Sequence, residues 1–139
     1  MIASEFENAD LHQALKGGSN NFGVVTRFDL KTFPQGKLWG GLIVLPITSA
    51  QEQFQPLVDF NSASGAGVDP FATIINAYVY SNATGSVITN FPVYTKPEPF
   101  PAILQAFTNM QPQLLNGLEI TNLTTFTDEL NGGEPNGFR

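Results

Sequence analysis

Cysteine is absent from this 139-residue chain, and histidine occurs once. The first absence excludes disulfides, thiolate metal sites and a cysteine nucleophile. The second excludes a histidine-rich metal centre and any relay that needs two imidazoles. Basic residues are scarce as well: six Lys and Arg stand against twelve Asp and Glu, a formal net charge of -6. Surfaces that bind phosphates are basic, so no nucleic-acid partner is expected. An anionic membrane surface is disfavoured for the same reason. No apolar run reaches the roughly 18 residues of a spanning helix. Residues 1–7 lack the basic-then-apolar order of a secretory signal. These residues leave the compartment unassigned.

What is abundant points to a packed core. Hydrophobic residues make up 42% of the chain, charged residues 13%, and there are twelve Phe. That is a folding composition at single-domain length. Thirteen Gly and ten Pro imply many turns and exclude a long-helix protein. Two Asn-x-Thr sequons occur, Asn82-Ala83-Thr84 and Asn122-Leu123-Thr124. Each is either a glycan acceptor or a chance match.

Hydrophobic periodicity gives an order of elements. Asn8 reads as a helix cap, with Asp10 in the positive first turn. Leu11, Ala14 and Leu15 form an apolar face, with His12 off it as a surface residue. Gly17 and Gly18 stop this helix through left-handed glycine. Residues 24–31 then alternate: Val24, Thr26, Phe28 and Leu30 on one side, Arg27, Asp29 and Lys31 on the other. That pattern predicts a half-exposed strand. Residues 34–37 read as a turn and 38–45 as one buried strand.

Ser49-Ala50-Gln51-Glu52 has a capping-box pattern, and Phe54, Leu57 and Val58 supply the apolar face of a helix over 50–62. Pro56 predicts a kink or a late start there. Strands over 71–80 and 86–95 flank a hairpin turn at 82–85. A helix over 101–110 shows Ile103, Leu104 and Phe107 on its face, with Pro101 at its first position. Residues 117–124 read as a last strand, and 128–139 as polar chain with no closing element. Strands separated by turns or single helices imply an α+β fold, an antiparallel sheet with helices packed mainly on one face.

The informative stretch is residues 8–39, NADLHQALKGGSNNFGVVTRFDLKTFPQGKLW. Glycines at 17, 18 and 23 either shape a tight helix-to-strand turn or let backbone approach a ligand. No Gly-Lys-Ser/Thr follows, so this is not a phosphate-binding Walker loop. A helix precedes the strand, the reverse of the order in a dinucleotide-binding fingerprint.

The stretch resembles DLFWALRGGG-x-NFGIVT near the end of the FAD-binding domain in flavoproteins of the vanillyl-alcohol-oxidase superfamily. Residues 32–41 are similar to the TFPQG-x-x-WGG run of fungal berberine-bridge-enzyme-like oxidases. Asp69-Pro70-Phe71-Ala72, Val93-Tyr94-Thr95-Lys96-Pro97 and Asn122-Leu123-Thr124 also resemble that branch.

The resemblance implies FAD as the cofactor of the complete enzyme. It places Gly23, Val24 and Val25 near the flavin dinucleotide as backbone donors and an apolar wall, with Gly17 and Gly18 shaping the approach. His12 is not the histidine that such enzymes bond to flavin. Residues 1–40 would be the C-terminal end of the FAD-binding domain. Residues 41–139 would be the N-terminal part of a substrate-binding domain whose open sheet face covers the flavin ring. Tyr78, Tyr80 and Tyr94 lie on its strands, as packing residues or as part of the substrate cavity.

The family's main flavin loop and its later tyrosine motif have no counterpart in these 139 residues. The expectation is therefore a fragment of a flavin-linked oxidoreductase that takes a hydride from a small organic substrate. Alone it is expected to be inactive and prone to self-association, with no catalytic residue and no metal site of its own. Secretion of the complete protein is compatible with the resemblance. A non-catalytic remnant and a small standalone binding module are the alternatives.

Overall fold

A computed structural model describes residues 1–62 and 69–131. The chain divides into two compact units, Met1–Phe33 and Pro34–Arg139. The first contains helix α1 (Ala9–Leu15) and a 3-10 turn, Ser19–Phe22. Asn8 does not cap α1 with its side chain: it sits at φ 51, and its Nδ2 donates to the Ile2 carbonyl at 2.7 Å. No strand forms over 24–31. A strand needs a neighbour for its N–H and C=O groups, and among the described residues none pairs with this segment.

The second unit is built on an antiparallel sheet. Its elements are β1 (Leu38–Gly40), β2 (Ile43–Pro46), β3 (Ala72–Ser81), β4 (Gly85–Tyr94), β5 (Leu115–Asn116) and β6 (Glu119–Thr121). β4 pairs with β3 on one edge and with β1 and β2 on the other. The β1 and β2 pairings share one register, with Gly40 opposite Val93 and Ile43 opposite Asn90. β6 and β5 likewise flank β1 and β2 on the outer edge. The buried strand expected over 38–45 is thus two short strands along one path, interrupted at Gly41. That residue takes φ 150, and a Cβ there would collide with the Gly117 carbonyl. The path bends where two backbones touch.

Helix α2 (Ala50–Asn61) and the short helix α3 (Gln105–Thr108), which continues a 3-10 turn over Ala102–Leu104, cover one face of the sheet. Trp39, Ile43, Leu45, Ile88 and Tyr94 from the sheet pack with Leu104, Phe107 and Met110, joined by Leu57 and Phe60. Two features of α2 correct the sequence reading. Ser49 makes no side-chain cap bond, because it is buried at the end of a 3-10 turn. The sheet-facing residues are Gln53, Leu57 and Phe60, whereas Phe54 and Val58 are 50% and 62% exposed.

A polar anchor sets that rotation: Asn76 Nδ2 donates to Gln53 Oε1 at 2.9 Å and to Asn90 Oδ1 at 2.6 Å, and Asn90 Nδ2 donates to Gln53 Oε1 at 3.2 Å. Pro56 lies inside α2, which starts at Ala50 rather than late. Pro101 precedes the 3-10 turn as its cap residue. The strand expected over 117–124 is shorter, ending with β6 at Thr121. The chain then forms helix α4 (Leu123–Asn131), which runs into the stretch expected to be irregular and polar. Asn122 Oδ1 accepts the Thr125 N–H at 2.9 Å and caps it.

Gly41 makes the break in the central path testable. Gly41→Ala combines a strained positive φ with a backbone collision, and should cost at least about 2 kcal/mol in urea unfolding. A Cβ added at Gly36 would meet nothing within 4 Å. Gly36→Ala should stay within about 0.5 kcal/mol of the parent.

Candidate functional site

The glycine loop of the first unit is tied to the end of α1. Gly18 N–H donates to the Ala14 carbonyl at 2.8 Å and Gly17 N–H to the same oxygen at 3.4 Å. Gly18 is at φ -85 and ψ 1, so left-handed glycine does not end the helix. The left-handed residue is Ser19, at φ 50. Gly18 is small for a different reason: a Cβ would strike the Phe22 ring and lie 2.6 Å from the Ala14 carbonyl. Gly17 has nothing within 4 Å. Gly23 takes φ 116 and ψ -170, a region that side-chain-bearing residues avoid. It turns the chain out of the 3-10 turn into residues 24–31.

Beside this loop lies a cavity of about 880 Å³. Leu11, Leu15, Phe22, Gly23, Val25 and Phe28 line it, with the partly buried His12 among the further lining residues. The cavity thus gathers Gly23, Val24 and Val25, and leaves Gly17 and Gly18 outside its lining. Its wall is open: Val24 is 93% exposed and Phe28 70%. Among the described residues, the backbone N–H groups of Val24 and Val25 make no hydrogen bond. Arg27 and Asp29 pair at 2.8 Å while both are largely exposed. Such a pair adds at most about 1 kcal/mol.

In the second unit, strand parity sorts the tyrosines. Residues opposite one another across a ladder share a face. Tyr94 faces Trp39 and Ala72, and Tyr78 faces the core residue Ile88. Tyr80 follows Tyr78 by two residues, so all three tyrosines lie on the helix-covered side. The opposite face carries Ile75, Val79, Val87, Phe91, Val93 and Val44. Ile75 is 61% exposed and Val79 43%, whereas at the β6 end Leu38 is buried to 2%. Period-two apolar residues on both faces of β3 and β4 are the sequence signal for this second surface. Among the described residues, no three His, Cys, Asp or Glu side chains gather as a metal site. Among them, too, no helix is long and apolar enough to cross a membrane.

Tyr94 is committed to the fold. Its hydroxyl donates to Asp69 Oδ2 at 3.1 Å, while Asp69 Oδ1 accepts the Phe71 N–H at 2.9 Å. Lys96 Nζ sits 3.8 Å above the Phe71 ring centroid, a cation–π contact. Burial pushes the Tyr94 phenol up, and the hydrogen bond to Asp69 and the charges of Asp69 and Glu98 push the same way.

No family model matches the chain, and no solved structure matches it. Several curated fungal proteins do. The chain is 38% identical over 138 residues to the FAD-dependent monooxygenase elcE of Phaeosphaeria nodorum, a match covering 91% of this chain and 41% of that protein. It is 36% identical over 148 residues to the FAD-dependent monooxygenase tpcD of Cochliobolus heterostrophus, covering 100% of this chain and 28% of that protein. It is also 40% identical over 97 residues to the oligopeptidase PhomG' of Diaporthe leptostromiformis, covering 69% of this chain but 8% of that protein. The chain therefore spans less than half the length of these relatives.

The Tyr94 phenol carries a pH signature. Its folded-state proton is held above the ordinary phenol value. The native state therefore binds that proton more tightly than the unfolded chain does. The contribution is complete below the ordinary value and is lost as pH rises through the raised one. Denaturant midpoints should fall on the alkaline side for the parent chain, and less steeply for Tyr94→Phe. Parallel alkaline profiles for the two proteins would show that Tyr94 carries no such coupling.

Proposed function

We propose that this chain forms part of an FAD-dependent oxidoreductase that oxidises a small organic substrate. The observation that supports this most is the similarity to two proteins named FAD-dependent monooxygenases, which runs over 91% and 100% of the chain. In this reading residues 1–40 are the end of the FAD-binding domain and residues 41–139 are part of a substrate-binding domain, whereas the compact units divide after Phe33. The run over 32–41 favours the berberine-bridge-enzyme-like branch.

When bound, FAD supplies the hydride acceptor; this chain's residues bind and orient. The unspent N–H groups of Val24 and Val25 suit the polar edge of a dinucleotide. Gly23 keeps side-chain bulk away from it. Gly17 and Gly18 hold the loop against α1. The apolar sheet face around Ile75 and Phe91 suits a dry wall for flavin or substrate. Nothing in this set acts as a general base or nucleophile, so the chain alone would be inactive. One wall also encloses little of a ligand, whereas binding pockets bury about 70–90% of theirs. Exposed Val24, Phe28 and Leu30 favour self-association instead.

A chimera tests the cofactor reading. Residues 1–131 of this chain would replace the matching segment of the Phaeosphaeria nodorum relative. The chimera should purify with flavin absorbance, and a folded, colourless product would sink the proposal. Gly23→Val in that chimera adds strain of about 1–3 kcal/mol. It should also reduce the flavin content of the folded fraction; full flavin would reduce the loop to a turn. For the chain alone, calorimetry with FAD and light scattering should show self-association without micromolar binding. A monodisperse monomer with micromolar affinity would make it a minimal flavin module.

A further inference from the structure

The sequon Asn82-Ala83-Thr84 falls at the tip of the β3–β4 hairpin. Ser81 is paired with Gly85 across the turn, and Gly85 takes φ 69. That is the three-residue hairpin loop closed by a left-handed glycine. The three loop residues are all exposed. The turn is closed without Asn82: Thr84 N–H donates to Ser81 Oγ at 3.1 Å, and the Thr84 and Ser81 hydroxyls meet at 2.5 Å. Asn82 uses only its oxygen, which accepts the Tyr80 hydroxyl at 3.3 Å. Among the described residues its Nδ2 donates to nothing. The hydrogen bond brings the Tyr80 ring alongside the amide, and that ring is 71% exposed. An exposed aromatic ring costs apolar hydration that a covering group would relieve.

We propose that Asn82 is an N-linked glycan acceptor and that Tyr80 forms the platform for its first sugar. The donor is a lipid diphosphate-linked oligosaccharide. The Nδ2–C bond forms at the anomeric carbon, the sugar–phosphate bond breaks, and the amide proton leaves with the lipid diphosphate; nothing is oxidised or reduced. A sugar on Nδ2 leaves Oδ1 free to keep its bond to Tyr80. The C–H face of a pyranose then lies within reach of the ring. The second sequon differs in its setting: Asn122 caps α4 by accepting the Thr125 N–H, and Ile120 rather than an aromatic residue stands two positions before it.

The test directs the full chain into the endoplasmic reticulum of yeast behind a cleavable leader. Thr124→Ala removes the second sequon while keeping the Asn122 cap. In that background the secreted chain should carry one endoglycosidase-sensitive glycan, lost in Asn82→Gln and in Thr84→Ala and retained in Thr84→Ser. A product whose mobility does not change with endoglycosidase overturns the acceptor assignment and leaves the sequon a chance match. The glycan should raise the melting temperature by about 2–4 °C, and Tyr80→Ala should keep the glycan but lose that rise. An equal rise in Tyr80→Ala overturns the platform.

Discussion

Strand β4 is hydrogen-bonded along both edges, and the other described strands of the second unit take their positions from it, directly or through β1 and β2. Its alternation sends Ile88, Asn90 and Tyr94 toward the helices and Val87, Phe91 and Val93 away. A slip of one residue would exchange the two sets. The amides of Gln53, Asn76 and Asn90 oppose such a slip. They link α2, β3 and β4 in one row, with Gln53 and Asn90 buried and Asn76 partly so, and displacing either buried amide would strand polar groups at about 1–3 kcal/mol each. Gln53 Nε2 has no partner of its own among the described residues. The row is therefore better described as fixing register than as a net source of stability.

This explains which elements were readable in the sequence. The β3–β4 hairpin was legible because its signals are local: apolar alternation on both sides of a turn that ends in Gly85. The face of the 102–108 segment was legible too, since Leu104 and Phe107 are simply apolar and buried. The face of α2 was not. Phe54 and Val58 look like core residues, yet a buried glutamine outranks them because Asn76 and Asn90 wait beneath it. Hydrophobicity alone cannot rank a polar residue first. The break at Gly41 depends on Gly117, far away in sequence. The start of α4 was legible in retrospect from Asn122, a capping residue placed three before an N–H that needs an acceptor.

The sheet's two faces now have different chemistry. The helix side holds the amide row and the Tyr94–Asp69 bond, with its polar groups largely spent on the fold. The other side offers Ile75, Val79, Val87, Phe91 and Val93, with Thr73, Ser81 and Thr89 among them and the exposed Glu119 opposite Gly40 at the β6 edge. The tyrosines considered for a substrate cavity share the helix side. The register decides this: Tyr94 stands opposite Ala72, Tyr78 opposite Ile88 and Tyr80 opposite Ser86. A ligand on the open face would meet mostly hydrophobic surface, with the Glu119 carboxylate at the β6 edge.

Residues 24–31 show the limit of periodicity most clearly. Alternation is a local property, but a strand exists only with a partner ladder. Without one, Val24, Phe28 and Leu30 stay 93%, 70% and 81% exposed, and their backbone groups are left to solvent. Gly23 nevertheless commits the chain to leave the 3-10 turn in one direction, through a conformation that glycine alone accepts without strain. The loop's geometry is therefore set locally, while its hydrogen-bonding capacity at Val24 and Val25 is not consumed locally. That combination is what a backbone ligand contact requires: donors held by the fold and free of it. It is equally what an added strand would use. On the proposed reading, a dinucleotide would compete with such a strand for the N–H groups at residues 24 and 25. Further along, from Arg27 to Lys31, only a strand would find use for the alternation.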